Sequence, residues 1–434
     1  GYTNPIFRML EHLRCPKKGL VGPWAHKYPN FAMPGPRIGF LQECLRWWDH
    51  WLKGIDTGIM DEPMFRAWMG DPAPPQNYCE ESSGRWIAEP GWAGAGAGWP
   101  GAGPAAEQRP LLPHGLGEPG DPPAQGKLVL HPLQTVGLAA GRWCPYGVTG
   151  DQPMDQRFEE GGQLVFDSEP LERDVEIFGF PCLALQVVAD RPDALIAATL
   201  CEILPDGSVR RVTYGVLNLS HRNSHEKLEP LQPGVPVDVR LQLNGIAHRF
   251  GRGNRMRVAL STSYWPIVWP SPRPVTLELR LGASSLSLPV RQRSAADDHL
   301  AAFPPAEHAP PLEADMIEPE LHAWTTCHDA YTGITTVRRV ENEGVRRHAG
   351  HRLVTGGSRE SNYSIKPNDP LSARADIASK RQYSREGWSV SSTTQIVMTS
   401  TETHFAVQAT LNAYEKDELV FNRKWSMEIP RDHV

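Results

Sequence analysis

The spacing of apolar residues predicts two helices and one short strand at the start of the chain. The first predicted helix, residues 2–13, carries an apolar face made of Ile6, Phe7, Leu10 and Leu13. Residues 38–53 repeat apolar positions at i, i+3, i+4 and i+7, which predicts a strong amphipathic helix. Gly54 follows where a C-cap glycine belongs. Residues 19–22 predict a very short buried strand, so this region is interpreted as α/β.

After residue 63 the pattern changes to short strands. Residues 64–69 alternate between apolar and polar side chains, and residues 256–262 do the same, which predicts one buried face for each strand. Residues 204–208, Leu-Pro-Asp-Gly-Ser, predict a turn because proline restricts φ and glycine accepts a positive φ. Many short strands at this spacing are typical of a β-sandwich.

Two stretches rich in small residues and proline interrupt the strands. Residues 90–126 are dominated by Gly, Ala and Pro and predict a flexible or weakly ordered insertion, and residues 293–320 predict a linker. Beyond them, residues 404–413 and 419–425 alternate like two strands joined by a tight turn, which predicts an antiparallel hairpin. Residues 321–434 are therefore expected to form a β-rich C-terminal extension.

Composition narrows the class of protein. A chain of 434 residues with 40% hydrophobic and 22% charged residues is expected to fold into two or three domains. Its net charge of -6 gives no reason to expect a nucleic acid or an anionic membrane as partner, and no apolar run approaches the ~20 residues of a bilayer span. Seven scattered cysteines without a CxxC pair favour a reducing compartment, so we expect a cytoplasmic protein.

No complete catalytic set is visible in the sequence. The stretches Gly282-Ala283-Ser284-Ser285 and Gly387-Trp388-Ser389-Val390 begin like a nucleophile elbow but lack its closing glycine. No P-loop and no HExxH motif is present. We therefore expect no cofactor and no metal.

Two pairs of polar residues are weaker candidates for a site. His221 and His225 are four residues apart and would share one face of a helix as metal ligands. Their surroundings predict strand and turn and no third ligand is near, so they are interpreted as solvated loop histidines. Asp151 and Asp155 are interpreted as turn and surface residues.

Tryptophans at positions 47, 48 and 51 form a stripe on the predicted helix 38–53. The stripe resembles a binding platform, but the interpretation favoured here is a helix that packs on a sheet.

His26 is the strongest candidate for a catalytic residue. It closes the segment Val21-Gly22-Pro23-Trp24-Ala25-His26, just beyond the predicted strand, where functional side chains gather in open α/β sheets. In α/β-hydrolases the triad order is Ser, then Asp or Glu, then His on a late loop. On that order the nucleophile and the acid would lie upstream of Gly1. A lone histidine after a strand is more often structural, and both interpretations stay open at this point.

The segment Gly22-Pro23-Trp24-Ala25-His26 resembles the GPWxH segment that carries the catalytic histidine of CocE/NonD hydrolases, the family of cocaine esterase and X-Pro dipeptidyl-peptidase. Further stretches in the family's order are WWDHWLKG at residues 47–54, PDG at 205–207, GVLNLSHR at 215–222 and YWP at 264–266. SIKPNDP at residues 364–370 is similar to an extension of some bacterial members.

The resemblance implies a three-part enzyme with an α/β-hydrolase domain, an inserted helical cap and a galactose-binding-like jelly roll. We therefore expect a mainly β chain, in which residues 1–62 are the C-terminal remnant of the α/β-hydrolase domain, with the histidine loop. Residues 63–292 would be a jelly roll of the X-Pro dipeptidyl-peptidase C-terminal type. The strand near residues 20–21 would then lack most parallel neighbours, and the helix at 38–53 would keep an uncovered apolar face.

The activity implied by the resemblance is hydrolysis of an ester or an X-Pro peptide or amide through a Ser-Asp-His triad, with His26 as the base. The chain lacks the Ser and the Asp and is expected to be inactive alone. Its expected partner is a small ester or peptide substrate, and a homo-oligomer is left open. The alternative is a carbohydrate-binding jelly roll without catalysis, in which tryptophans stack on sugar rings.

Overall fold

The computed structural model describes residues 2–92, 106–131 and 133–434. Its helices are α1 (Thr3–His12) and α2 (Phe40–Lys53). The strands up to residue 189 are β1 (Gly19–Val21), β2 (Phe65–Gly70), β3 (Gly84–Glu89), β4 (Ala106–Leu112), β5 (Gly115–Leu116), β6 (Lys127–Leu130), β7 (Leu164–Asp167), β8 (Val175–Gly179) and β9 (Cys182–Ala189).

The following strands, in chain order, are β10 (Leu195–Ile203), β11 (Val209–Asn218), β12 (Pro236–Gln242), β13 (Ile246–Phe250), β14 (Arg255–Ser261), β15 (Leu277–Pro289), β16 (Ala314–Glu318), β17 (Leu321–Asp329), β18 (Ile334–His348), β19 (Val354–Lys366), β20 (Asp369–Arg385), β21 (Trp388–Ser400), β22 (His404–Glu415) and β23 (Glu418–Pro430). The protein is therefore mainly β.

Two sheets enclose the main hydrophobic core. One has the order β11-β10-β14-β7, and the other has the order β12-β9-β15-β4-β5, with β6 paired to β15. Leu200, Val258 and Leu286 are fully buried between them. The predicted turn at residues 204–208 joins β10 to β11, and Gly207 there has φ of +82°. A side chain with a Cβ would be strained at that φ, which is why glycine occupies the position.

Strand β14 departs from its predicted pattern because both of its faces are buried. Met256, Val258 and Leu260 enter the main core, as alternation predicts. Arg257 on the opposite face is also buried, and its guanidinium lies 2.6 Å from the Asp167 carboxylate. The prediction of a single buried face is wrong for this strand, because its polar side chains have partners and can be removed from water.

A third sheet joins the first 62 residues to the sandwich. Its order is β1-β2-β13-β8, with β3 paired to β2, and β1 runs parallel to β2. Helix α1 packs on this sheet through Phe7, whose ring lies 5.1 Å from Phe65 and 5.0 Å from Trp92. Among the described residues β2 is the only parallel neighbour of β1, as expected for this short strand.

The C-terminal residues form an eight-stranded antiparallel sheet. Its order is β16-β18-β19-β20-β21-β22-β23, with β17 paired to β18. The predicted hairpin is confirmed: β22 and β23 pair from His404 opposite Pro430 to Glu415 opposite Glu418.

The two stretches predicted to lack structure are partly ordered. Strands β4 and β5 lie within residues 90–126, so the prediction of a continuous flexible insertion is wrong for that part, and residues 93–105 lie outside the described residues. Strand β16 and a 3₁₀ helix, Ala295–His299, lie within the predicted linker 293–320. Both stretches are stabilised by pairing with distant strands or by ion pairs such as that of Arg291 with Asp297.

Arg431 fastens the end of the C-terminal sheet to the sandwich. Its guanidinium is buried and donates to the carbonyl oxygen of Pro270 at 2.5 Å, and it lies 4.9 Å from the Phe405 ring centroid. Burial lowers the pKa of Arg431 to about 10. Nearby, the backbone carbonyl of His433 accepts a hydrogen bond from the Asn218 side chain at 2.7 Å.

We expect Arg431→Ala to lower the free energy of unfolding by about 3 kcal/mol, because several buried carbonyl groups lose a charged donor. Chemical denaturation of the purified chain measures this loss. The matched control is Arg347→Ala on an exposed position of β18, which should stay within about 0.5 kcal/mol of the parent. Equal effects of the two substitutions would contradict the anchoring role of Arg431.

A buried histidine in the sandwich should make stability depend on pH. Burial lowers the pKa of His248 more than its hydrogen bond to Glu202, at 2.9 Å, raises it. Burial opposes ionisation of Glu202, yet hydrogen bonds from His248, Asn254 and Gly251 keep the pKa of Glu202 below its ordinary value. The unfolded chain therefore binds more protons than the folded chain below the ordinary histidine pKa of about 6.5.

The free energy of unfolding should consequently fall as the pH is lowered from 7 through 6.5 toward 4. His248→Gln should give a shallower fall between pH 7 and pH 5, measured by denaturant unfolding at each pH. His308→Gln, at an exposed position, should keep the parental slope. An unchanged slope in His248→Gln would show that other groups cause the dependence.

Candidate active site

The loop after β1 presents His26 to solvent while its neighbours are held in place. The Trp24 indole donates to the Pro36 carbonyl at 2.9 Å. A Cβ on Gly22 would lie 2.5 Å from the Trp24 ring, so the close packing of that ring requires glycine. The backbone N–H of Ala25, which is buried, donates to Met33 at 3.2 Å.

Aromatic rings flank the His26 imidazole on two sides. The Tyr2 ring lies 5.2 Å away and the Tyr146 ring 5.3 Å away, both edge to face. A cavity of about 550 Å³ opens beside the imidazole, lined also by Val21 and Phe31. The arrangement leaves the imidazole accessible from a mostly apolar hollow.

His26 has no partner of a catalytic triad within the part of the chain that the structure describes. No hydroxyl and no carboxylate there forms a hydrogen bond with its ring, whereas its backbone N–H donates to Pro145 at 2.8 Å. The two serine motifs do not supply a nucleophile elbow, because Ser284 lies within β15 and Ser389 within β21 rather than between a strand and a helix. The prediction of His26 as a base thus stays a prediction.

The loop that carries Tyr146 is organised by a buried carboxylate. Asp151 is 1% exposed and accepts hydrogen bonds from the N–H groups of Tyr146 at 2.5 Å and Val148 at 3.0 Å. Its other oxygen lies 3.0 Å from the Arg142 guanidinium. The interpretation of Asp151 as a surface residue is wrong, because these donors replace water around the carboxylate. Asp155 does lie in a turn and caps the 3₁₀ helix Gln156–Gly162.

The C-terminal sheet touches the same loop. Arg142 also pairs with Glu341 of β18 at 2.6 Å. Trp324 of β17 lies against Gly150, and Arg339 lies 3.7 Å from the Trp324 ring centroid. Nothing in the spacing of residues 142–151 indicated that they would meet His26. The one feature that could have drawn attention to this stretch is that it combines aromatic and charged residues within a few positions.

Helix α2 keeps the uncovered apolar face that was predicted for it. Leu45 is 57% exposed, Trp48 53% and Leu52 75%, and none of the helix residues is buried. Trp48 and Trp51 are exposed, so packing on a sheet does not describe these two residues, whereas Trp47 is half-buried and lines a cavity together with Leu20 of β1. Gly54 does end the helix, with φ of +70°.

His221 and His225 lie close together but do not form a metal site with other residues. Their Nδ1 atoms are 3.3 Å apart in a turn after β11. Among the described residues, no group of three or more His, Cys, Asp or Glu side chains is placed to hold a metal ion. No helix in the same part of the chain is long and apolar enough to cross a bilayer.

The sandwich and the sheet that carries the histidine loop together form a β-rich domain. Residues 57–304 match the model of the X-Pro dipeptidyl-peptidase C-terminal non-catalytic domain. The chain belongs to that family, so the expected resemblance to the X-Pro dipeptidyl-peptidase C-terminal type is confirmed.

Curated relatives and solved structures extend this comparison. A putative serine esterase of Mycobacterium bovis is 25% identical over 327 residues, which cover 67% of this chain and 48% of that protein, so the chain spans about half the length of the curated relative it matches. An alpha-amino acid ester hydrolase structure is 20% identical with a TM-score of 0.47, covering 63% of this chain and 50% of that chain. A CocE/NonD family hydrolase structure from Staphylococcus aureus is 18% identical with a TM-score of 0.41, covering 58% of this chain and 46% of that chain.

We expect Asp151→Asn to lower the free energy of unfolding by about 2 kcal/mol, because the half-buried Arg142 guanidinium loses the negative charge with which it forms an ion pair. Amide hydrogen exchange at Tyr146 and Val148 should also become faster. Asp417→Asn, in the exposed turn between β22 and β23, is the control and should change neither quantity. Unchanged exchange at Tyr146 in Asp151→Asn would contradict the proposed organisation of the loop.

Proposed function

We propose that this chain supplies the histidine loop and the C-terminal β domains of a serine hydrolase that cleaves an ester or an X-Pro peptide or amide bond. The observation that carries the proposal is the Gly22–His26 loop, which presents an accessible imidazole beside an apolar cavity. Membership of the X-Pro dipeptidyl-peptidase C-terminal domain family supports it, since that domain is itself non-catalytic and accompanies a hydrolase.

In this proposal His26 is the general base of acyl transfer. One ring nitrogen takes the proton of a serine hydroxyl during acylation, and later takes a proton from the water that releases the acyl group. An acidic residue on the other ring nitrogen would select the tautomer and orient the ring. Imidazole suits these steps because its ordinary pKa lies near neutrality.

The surroundings of His26 assign a role to its aromatic neighbours. The Tyr2 and Tyr146 rings lie steeply inclined to the imidazole at 5.2 and 5.3 Å, and we expect these contacts to restrict its rotation. The apolar lining of the cavity beside His26 would exclude water from the acyl group, which strengthens the electrostatic interactions of the reaction. Their contribution is positioning, not proton transfer.

The division of the chain follows the same proposal. Residues 1–62 would belong to an α/β-hydrolase domain, residues 63–292 to a jelly roll, and residues 321–434 to a β-rich extension after the linker 293–320. The uncovered face of α2, with Leu45 and Trp48, supports a further layer of that hydrolase domain there, because large apolar patches on soluble proteins mark contact surfaces.

The decisive experiment uses the longest polypeptide encoded in frame with this chain. It is assayed with a p-nitrophenyl ester and an X-Pro-anilide, and His26→Ala is expected to lower kcat by about 10⁴-fold or more. The control is His12→Ala, an exposed histidine of α1, which should keep parental kcat and KM. Parental activity in His26→Ala would refute the role of His26.

The chain of 434 residues assayed alone gives a second test. Without a nucleophile among the described partners of His26, we expect no turnover of either substrate above that of the His26→Ala variant. Cleavage that depends on His26 in this chain would mean that a nucleophile of the chain itself reaches the imidazole, and the proposal would have to be replaced.

A further inference from the structure

A cleft at the open edge of the sandwich lies outside the site of His26. It has a volume of about 520 Å³ and is lined by segments from α1, β11, β12 and the turn after β11. Strands β11 and β12 are edge strands of the two different sheets, so the cleft lies where the sandwich is not closed. A Cβ on Gly215 would lie 2.5 Å from the Gln242 carbonyl oxygen, so glycine allows the two edges to approach at this position.

The charge of the cleft is positive. Its lining includes five basic side chains, Arg8, Arg222, Arg240, His221 and His225, and within the described residues no carboxylate lines it. The whole chain is acidic, with a net charge of -6, so this concentration of cations is a local feature. Cations gathered in a concave site focus the electric field and raise the local concentration of anions.

Among these arginines, Arg222 has a structural role in the turn that lines the cleft. Arg222 donates to the carbonyl oxygen of Leu219 at 3.0 Å and lies 3.3 Å from the Glu229 carboxylate, which holds the turn together. Arg8 and Arg240 are both exposed and approach from α1 and from β12, on two different elements of the cleft. Two guanidinium groups on separate elements can grip one oxyanion from two directions.

The histidine pair fits an anion better than a metal. The Nδ1 atoms of His221 and His225 are 3.3 Å apart, which is the distance of a hydrogen bond between the two rings and leaves no room for an ion between them. Arginine side chains nearby would repel a cation. An oxyanion, by contrast, accepts hydrogen bonds from imidazole N–H groups as well as from guanidinium groups.

Part of the lining of the cleft is apolar. Trp143, Ile267 and Val268 line it, and Trp143 is 59% exposed. A flat organic group attached to the oxyanion would lie against these side chains, as most small-molecule sites combine a few polar groups with apolar walls. We propose that this cleft binds a small organic oxyanion, a carboxylate or a phosphate ester, with its charged end between Arg8 and Arg240 and its apolar end on Trp143.

The test titrates inorganic phosphate, phenyl phosphate and benzoate into the purified chain. The imidazole signals of His221 and His225 and the indole signal of Trp143 are followed by NMR. We expect saturable one-site binding with Kd of about 1 mM or below for phenyl phosphate or benzoate, and weaker binding of inorganic phosphate, which lacks the ring. Preference between the two organic probes distinguishes a phosphate ligand from a carboxylate ligand.

Arg8→Gln and Arg240→Gln should each weaken the tighter organic probe about tenfold, because each removes a charged donor. Arg14→Gln, at an exposed position just beyond α1 and outside the cleft, is the matched control and should leave Kd unchanged. Far-UV circular dichroism checks that every variant is folded. Binding should also weaken as salt is raised.

Several results would overturn the proposal. Shifts that do not saturate with any probe would exclude a site, and equal affinity in Arg8→Gln, Arg240→Gln and Arg14→Gln would place the ligand elsewhere. A titration with Zn²⁺ alone gives a further outcome. Stoichiometric zinc binding that His221→Asn abolishes, in a chain that binds none of the three anions, would make the cleft a metal site instead.

Discussion

The burial of Phe7 in an aromatic cluster is the interaction on which the placement of the histidine loop depends. Its ring meets Phe65, Trp92, Phe178 and Phe180 at centroid distances between 5.0 and 5.5 Å. Each buried aromatic ring contributes a large apolar area. This cluster joins α1 to the sheet that contains β1 and β2. The loop after β1 is therefore held in a fixed position next to the sandwich.

The second face of the loop is set by residues far along the chain. The carboxylate of Asp151 accepts a hydrogen bond from the backbone N–H of Tyr146. Arg142 forms ion pairs with both that carboxylate and Glu341 in the C-terminal sheet. The sheet is itself fastened by Arg431 at the far end. The β-rich extension and the histidine loop are thereby parts of one contact network.

Two surface regions, the exposed face of α2 and the cleft between β11 and β12, differ in their chemistry. The exposed face of α2 is apolar and suits a packed protein layer, whereas the cleft between β11 and β12 is cationic and suits a small anion. The difference arises from the neighbours: α2 presents leucines and tryptophans along one helical stripe, while the cleft collects arginines and histidines from several separate elements. A helix face can be recognised from its period, but a cleft assembled from distant elements cannot.

Local sequence pattern was enough to predict the features that depend on neighbouring residues. The period of α2 with Gly54 at its end, the turn at Gly207, the final hairpin and the GPWAH stretch around His26 all follow from local pattern. Features that depend on distant contacts could not be predicted in this way. The buried second face of β14, the buried Asp151 and the rings beside His26 required knowing which remote segments pack together, because burial is a property of the whole fold and not of spacing.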